Sequence, residues 1–197
     1  LGLNNTTQYS SPVQIPGTTW SKVTTGGHGA SAAIKTDGTL WTWGANSNYA
    51  ILGQGNKTNY SSPKQVPGTT WAQVRFGQKH ALATKTDGTL WAWGSNSYGA
   101  LGQGQRAPSS YTESPVQIPG TNWSTGEDDI GCSAWGASYA IKTDGTFWTW
   151  GDNAAGELGH NKGGAPGDIS SPVQVGSDTT FYTVKGSNFS SFTIKKV

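Results

Sequence analysis

Short alternating runs separated by turn-forming residues dominate this chain. Ala32-Ala33-Ile34-Lys35-Thr36 and Thr39-Leu40-Trp41-Thr42-Trp43 flank Asp37-Gly38. A period of two puts Leu40 and Thr42 on one face of a strand and Trp41 and Trp43 on the other. An Asp-Gly pair between two β-prone runs signals a hairpin, read here as a type I′ turn with positive φ at both central residues. No 3.6-residue periodicity persists over ten or more positions, so strands carry the fold.

The same segment returns at a spacing of about 50 residues, the signature of a repeat architecture. Asp87-Gly88 precedes Trp91 and Trp93, and Asp144-Gly145 precedes Trp148 and Trp150. A second block occurs four times, beginning at Leu1-Gly2, Leu52-Gly53, Leu101-Gly102 and Leu158-Gly159. Each copy leads to a proline (Pro12, Pro63, Pro115, Pro172) and then to Trp20, Trp71, Trp123 or Phe181. Proline cannot donate to a central ladder, so the Pro-Val-Gln-Ile-Pro stretch is expected on a sheet edge or in a connection. Cut at the Leu-Gly blocks, the repeats run 1–51, 52–100, 101–157 and 158–197, one repeat domain over 1–197. About four short strands per repeat predict an all-β chain of propeller blades, in which each blade packs only on its neighbours. The Trp pairs are expected to fill the space between blades.

Composition supports strands and turns. Only 33% of residues are hydrophobic, but 10 Trp, 7 Tyr and 5 Phe offset this, and 29 Gly supply turns. The net charge is +2 with no extended basic run, which argues against phosphate-directed nucleic-acid binding. No apolar stretch approaches the roughly 18 residues of a membrane span. Cys132 is the sole cysteine, so an internal disulfide is excluded. Met is absent even at position 1, and the chain begins in mid-repeat. Lys196 and Val197 stand where an Asp-Gly pair would recur. These features are read as the C-terminal part of a longer chain. A composite blade joining the two half-repeats is the alternative.

Gly77-x-x-His80, Asp87-Gly88 and Trp93-Gly94-x-Asn96-x-x-Gly99-x-Leu101-Gly102 together resemble the repeat of the regulator of chromosome condensation family. The resemblance implies four-stranded blades of a typically seven-bladed propeller, and covers nearly the whole chain. It further implies, as one possible activity, nucleotide exchange on a small GTPase or chromatin binding. The family's His stands here only at His80; Ala30, Ala137 and Phe189 occupy the matching positions.

No catalytic or cofactor motif is apparent, and an enzyme is not expected. Asp37, Asp87 and Asp144 have a turn explanation that outweighs acid–base work. His28, His80 and His160 fall at three different repeat positions, so no metal site is expected from them. Loops that lengthen in single repeats are the places to look for function. The segment from Trp123 to Asp144 is enlarged and holds Glu127, Asp128, Asp129 and Trp135. It reads either as an acidic loop for a cation, with a protruding Trp for a sugar or protein, or as a solvated turn with Trp135 tucked between blades. Tyr111, matched by Tyr9 and Tyr60, sits in another lengthened connection, as do His160, Lys162 and Pro166. It reads as a surface contact or as packing beneath the loop.

A scaffold low in charge and rich in Ser, Thr and Asn is read as a structural or adhesive module of an extracellular or virion surface, such as a phage protein. Its partner would be a protein within a larger assembly or a cell-surface glycan. An intracellular regulator of the chromosome-condensation type is the alternative.

Overall fold

The computed structural model describes residues 2–161, 167–186 and 191–195. The expectations placed on Leu1, Lys162, Pro166, Phe189, Lys196 and Val197 lie outside the described residues.

The described chain is all-β apart from one 3-10 turn at Gly27–Gly29. Its strands are β1 (Trp20–Thr25), β2 (Ala30–Lys35), β3 (Leu40–Gly44) and β4 (Tyr60–Gln65). The next four are β5 (Trp71–Phe76), β6 (His80–Lys85), β7 (Leu90–Asn96) and β8 (Ala107–Ile118). Then come β9 (Ile130–Cys132), β10 (Ala137–Ile141), β11 (Phe147–Gly151) and β12 (Ile169–Gln174), followed by β13 (Phe181–Gly186) and β14 (Ser191–Lys195). They form three four-stranded antiparallel meanders, β1–β4, β5–β8 and β9–β12, and a two-stranded sheet, β13–β14. The proline-bearing strands β4, β8 and β12 are edge strands, as their missing N–H groups require. Each four-stranded sheet ends on the proline-bearing stretch; β1 and β5 open on the lone aromatic, whereas Trp123 joins its sheet through an isolated bridge to Lys142 ahead of β9. The Leu-Gly blocks therefore lie in the connections between the third and fourth strands of a blade.

The leading strands line up from blade to blade. β5 packs on β1 and β2, β9 on β5 and β6, and β13 on β9 and β10. Each blade adds only neighbour contacts, which is the logic of a radial repeat.

The Asp-Gly hairpin has a different turn from the one the dipeptide predicts. Only Gly38 has positive φ (+77°), as do Gly88 and Gly145, while the aspartates do not. Gly38 N–H donates to Lys35 O and Lys35 N–H to Thr39 O, each at 3.0 Å. This is a three-residue loop whose glycine forms the bulge. The aspartate acts one step later. Asp37 Oδ1 accepts from Thr39 N–H (2.9 Å) and Thr39 Oγ1 (2.7 Å), and Thr39 Oγ1 accepts from Trp41 Nε1 (2.9 Å). The same relay recurs at Asp87-Thr89-Trp91 and Asp144-Thr146-Trp148. These hydrogen bonds, the Thr39 side chain first, hold the Asp37 carboxyl below the usual range. The Gly38 carbonyl then accepts Trp71 N–H of the next blade (2.9 Å). Gly88 serves Trp123 and Gly145 serves Phe181 in the same way.

The two tryptophans of each hairpin do different work. Trp93 and Trp150 are fully buried and donate Nε1–H across the blade boundary, to Ile51 O (2.6 Å) and Ala100 O (2.8 Å). Gly53 and Gly102, with φ +66°, lie directly beneath them, and a Cβ on Gly53 would come within 3.0 Å of Trp93 Nε1. The sequence predicts both tryptophans of each pair between blades; the structure gives that place to the second of the pair. Trp41, Trp91 and Trp148 are half-buried and pack inside their own blades, edge-on to Trp20, Trp71 and Trp123 at 6.1–6.3 Å. Lys35, Lys85 and Lys142 each lay an ammonium over both rings of the pair. Such aromatic and cation–π contacts contribute about 0.5–1.5 kcal/mol apiece beyond burial.

Truncating Trp93 to Ala should therefore cost about 3–5 kcal/mol, and Trp91→Ala markedly less. Urea unfolding midpoints of the two variants check the order; equal losses would contradict this division of labour.

Candidate functional site

In an antiparallel meander the first-to-second and third-to-fourth connections emerge at one end, and the Asp-Gly hairpins at the other. The enlarged segment after Trp123 is divided between those ends. In the second blade residues 72–73 lie between the paired positions Trp71 and Val74; in the third, residues 124–129 lie between Trp123 and Ile130. The insertion is thus a bulge in the leading strand, and it carries the three acids. Trp135 follows β9 and belongs to the opposite end.

One acid of the bulge, Asp128, ties blades together. Asp128, with φ +64°, takes Arg75 of β5 on Oδ1 (2.6 Å) and Lys185 of β13 on Oδ2. Its carbonyl accepts Val184 N–H at 2.7 Å. Burial works to raise the Asp128 carboxyl, but the Lys185 and Arg75 contacts outweigh it and hold the group below its ordinary value. Asp129 is buried, accepts the Ser124 hydroxyl, and is pushed upward by burial despite that bond. Gly126 O receives Gln73 Nε2 at 2.8 Å. Glu127 is exposed. Among the described residues no three His, Cys, Asp or Glu side chains are grouped to hold a metal ion.

His80 and Ser138 form a pair with the look of a catalytic dyad, but the geometry gives it a structural task. Ser138 Oγ donates to Ala100 O (2.8 Å), so its lone pair faces His80 Nε2–H at 2.9 Å. His80 Nδ1 is left buried without a partner. Both side chains are fully buried, and burial lowers the imidazole to about 4. His80 therefore joins blades two and three as a neutral ring. Cys132 is likewise buried, its thiol pushed up to about 12 by burial, so it remains unreactive at neutral pH.

The other end of the molecule carries exposed aromatics interleaved with cations. Lys79, in the β5–β6 loop, places Nζ 4.3 Å over the Trp135 ring, 5.7 Å from Tyr98 and 6.0 Å from Tyr49. Tyr49 stands 5.3 Å from His28 and 6.1 Å from Tyr111. Lys57 lies 4.3 Å over Tyr111, and Arg106 lies 6.0 Å from Tyr98 while paired to Asp168 at 2.9 Å. Three consecutive blades contribute. Trp135 is 41% exposed and Tyr111 37%, enough for both to meet a partner. The structure thus joins Trp135 to Tyr111 through Tyr49 and Lys79, and separates both from Glu127, Asp128 and Asp129. Sequence reasoning gave no recognition role to His28, Tyr49, Lys57, Lys79, Tyr98 or Arg106. The available signal was that their connections emerge at one end of the meander.

Among the described residues no helix is long and apolar enough to cross a membrane.

Two sign-defined effects follow. Asp128→Asn should destabilise by about 1 kcal/mol at neutral pH, since the pairs are half-exposed. The depressed carboxyl contributes above its unfolded value of about 3.9. The difference from the parent should shrink as pH falls through the folded value, read by denaturant titration at pH 7 and pH 3. His80 is also depressed, so stability is full above about 6.5 and falls as pH approaches about 4. His80→Gln should flatten that portion of the stability–pH curve; an unchanged slope would exclude His80 as its source.

The repeats match known proteins. The model of the regulator of chromosome condensation (RCC1) repeat matches residues 37–84 and 87–125, and a second RCC1 repeat model matches 71–100. The chain is 32% identical over 146 residues to the mitochondrial RCC1 domain-containing protein RUG3 of Arabidopsis thaliana, covering 73% of this chain and 31% of that protein. It is 31% identical over 139 residues to the RCC2 homolog of Danio rerio, covering 68% and 26%. It thus spans about a third or less of the length of these two relatives. Two solved structures share the fold. The Saccharomyces cerevisiae Prp20p structure, described with its binding to Gsp1p and histones, superposes with TM-score 0.73 at 15% identity, covering 91% of this chain and 44% of that one. Human WBSCR16 gives 0.71 at 22%, covering 90% and 44%. These relatives correct the expectation of an extracellular or virion protein. One is named as mitochondrial, and the family name refers to chromosome condensation, a process inside cells. The chain carries repeats of the regulator of chromosome condensation (RCC1) family and folds as blades of its propeller.

Proposed function

We propose that this chain is a partner-binding propeller module of the chromosome-condensation-regulator type, acting by holding a protein on its Trp135–Tyr111 end. Nucleotide exchange on a small GTPase and attachment to chromatin are the two forms of that activity. The cluster carries the reading. Trp, Tyr and Arg dominate interface hot spots, where a large ring supplies area at little conformational cost. Two structures of one solved neighbour support it as well, yeast Prp20p being described with its binding to Gsp1p and histones and, as yeast RCC1, bound to Kap60. The buried His80–Ser138 pair offers no reactive group to solvent.

A photo-crosslinking residue at position 135 should capture a protein that the same residue at position 86, in an Asp-Gly hairpin, does not. With that protein purified, Trp135→Ala and Tyr111→Ala should each weaken binding by about 2 kcal/mol, roughly 30-fold, without lowering the unfolding midpoint. Equal capture from position 86, or binding indifferent to both truncations, would remove the basis for this reading.

A further inference from the structure

We infer that the Trp135–Tyr111 end recognises an acidic segment of its protein partner; this rests on the reading above and specifies the partner's chemistry. Lys57 and Lys79 form no ion pair among the described residues, whereas their neighbour Arg106 is paired to Asp168. Each ammonium instead sits 4.3 Å over an exposed ring, Lys57 on Tyr111 and Lys79 on Trp135. A lysine held on an aromatic face keeps its outer N–H groups pointed away from the ring. A carboxylate arriving there gains a charge-assisted hydrogen bond without displacing the cation–π contact. Lys79 comes already held among three rings and Lys57 on one, so little side-chain entropy is lost on binding. Tyr49 and Tyr98 flank the two positions and supply apolar contact between acidic side chains.

The same geometry disfavours a nucleic acid strand. Stacking platforms for bases need open ring faces beside a basic track. Here Lys57 and Lys79 cover faces of Tyr111 and Trp135, and the whole chain carries a net charge of only +2.

The test uses the whole chain and three fluorescent probes: a short peptide alternating glutamate with leucine, its lysine-for-glutamate counterpart, and oligothymidylate. The acidic peptide is expected to bind and the basic one not to. Binding should fall about tenfold in Lys57→Ala/Lys79→Ala, and fall again with added salt. Lys79→Arg should preserve it. Lys57→Glu/Lys79→Glu should transfer preference to the basic peptide, which a misfolded variant would not do. Absence of acidic-peptide binding, indifference to both alanine substitutions, or tighter lysine-dependent binding of oligothymidylate would each overturn the inference. A partner captured through position 135 that stays bound to the double alanine variant in high salt would overturn the acidic-segment inference alone and leave the binding face standing. Acidic-peptide binding lost with the lysines, in a chain that captures no protein at position 135, would support this inference and strike the function proposed above.

Discussion

An indole N–H given to a carbonyl of the neighbouring blade is the constraint on which the rest of this structure depends. Trp93 reaches Ile51 O, and Trp150 reaches Ala100 O. Both rings are completely buried, so the bond cannot be exchanged for water. The ring can approach only because Gly53 or Gly102 lies beneath it with no Cβ. One contact therefore explains two sequence features about 40–50 residues apart, the Trp-Gly after each hairpin and the Leu-Gly that ends the preceding connection. It also fixes blade spacing, since the donor and the acceptor loop belong to different sheets. Ala100 O receives Ser138 Oγ as well as Trp150, so His80, Ser138 and Trp150 converge on one boundary.

The boundaries are not equivalent, and their differences have physical causes. Between the second and third blades, His80 is buried where an alanine stands in the other described blades. The following leading strand is bulged by residues 124–129. That bulge places Asp128 where Arg75 and Lys185 of the flanking leading strands both reach it. Three leading strands are linked at a single carboxylate, on the side of the blades away from the aromatic cluster. The central acid of the run most visible in the sequence thus serves assembly, and recognition is left to the opposite end.

The fold was legible because its signals are local and repeated. Alternation around Asp-Gly, proline at the edge and the lone aromatic that opens β1, β5 and β13 all correspond to real strand positions. The turn type was misread because the dipeptide rule assumes a two-residue loop. In this chain an Asp-Thr-Trp relay accompanies a three-residue loop, and threonine takes part in it alongside aspartate. The site was legible only in fragments. Trp135 and Tyr111 stood out as members of lengthened segments. Lys79 and Tyr49 did not, because their place depends on three blades bringing separate loops together. The acidic triplet looked like the chemical centre, since a run of three acids is conspicuous in a chain with 12% charged residues. Its partners, Arg75 and Lys185, lie more than 50 residues away on either side and carry no local mark.

The two ends of each blade are set by different demands. The Asp-Gly end must return the chain into the next leading strand, and the Gly38, Gly88 and Gly145 carbonyls are committed to that task. Insertions or bulky groups there would disturb every later blade. The other end also carries inter-blade bonds, at the Gly27, Gly55 and Gly104 amides and the Ile51 and Ala100 carbonyls, but this end contributes backbone groups to them, so side chains in its loops can change without removing those bonds. His28, Lys79 and Trp135 all stand in first-to-second connections, yet differ in side chain. Tyr49 and Tyr98 stand in third-to-fourth connections. A repeat fold thus separates a conserved assembly chemistry, visible here as near-identity among the three hairpins, from a variable surface built from the same loop positions. Recognition belongs where variation is tolerated, and that is the end at which Lys57 and Lys79 rest on exposed aromatic rings without an ion-pair partner among the described residues.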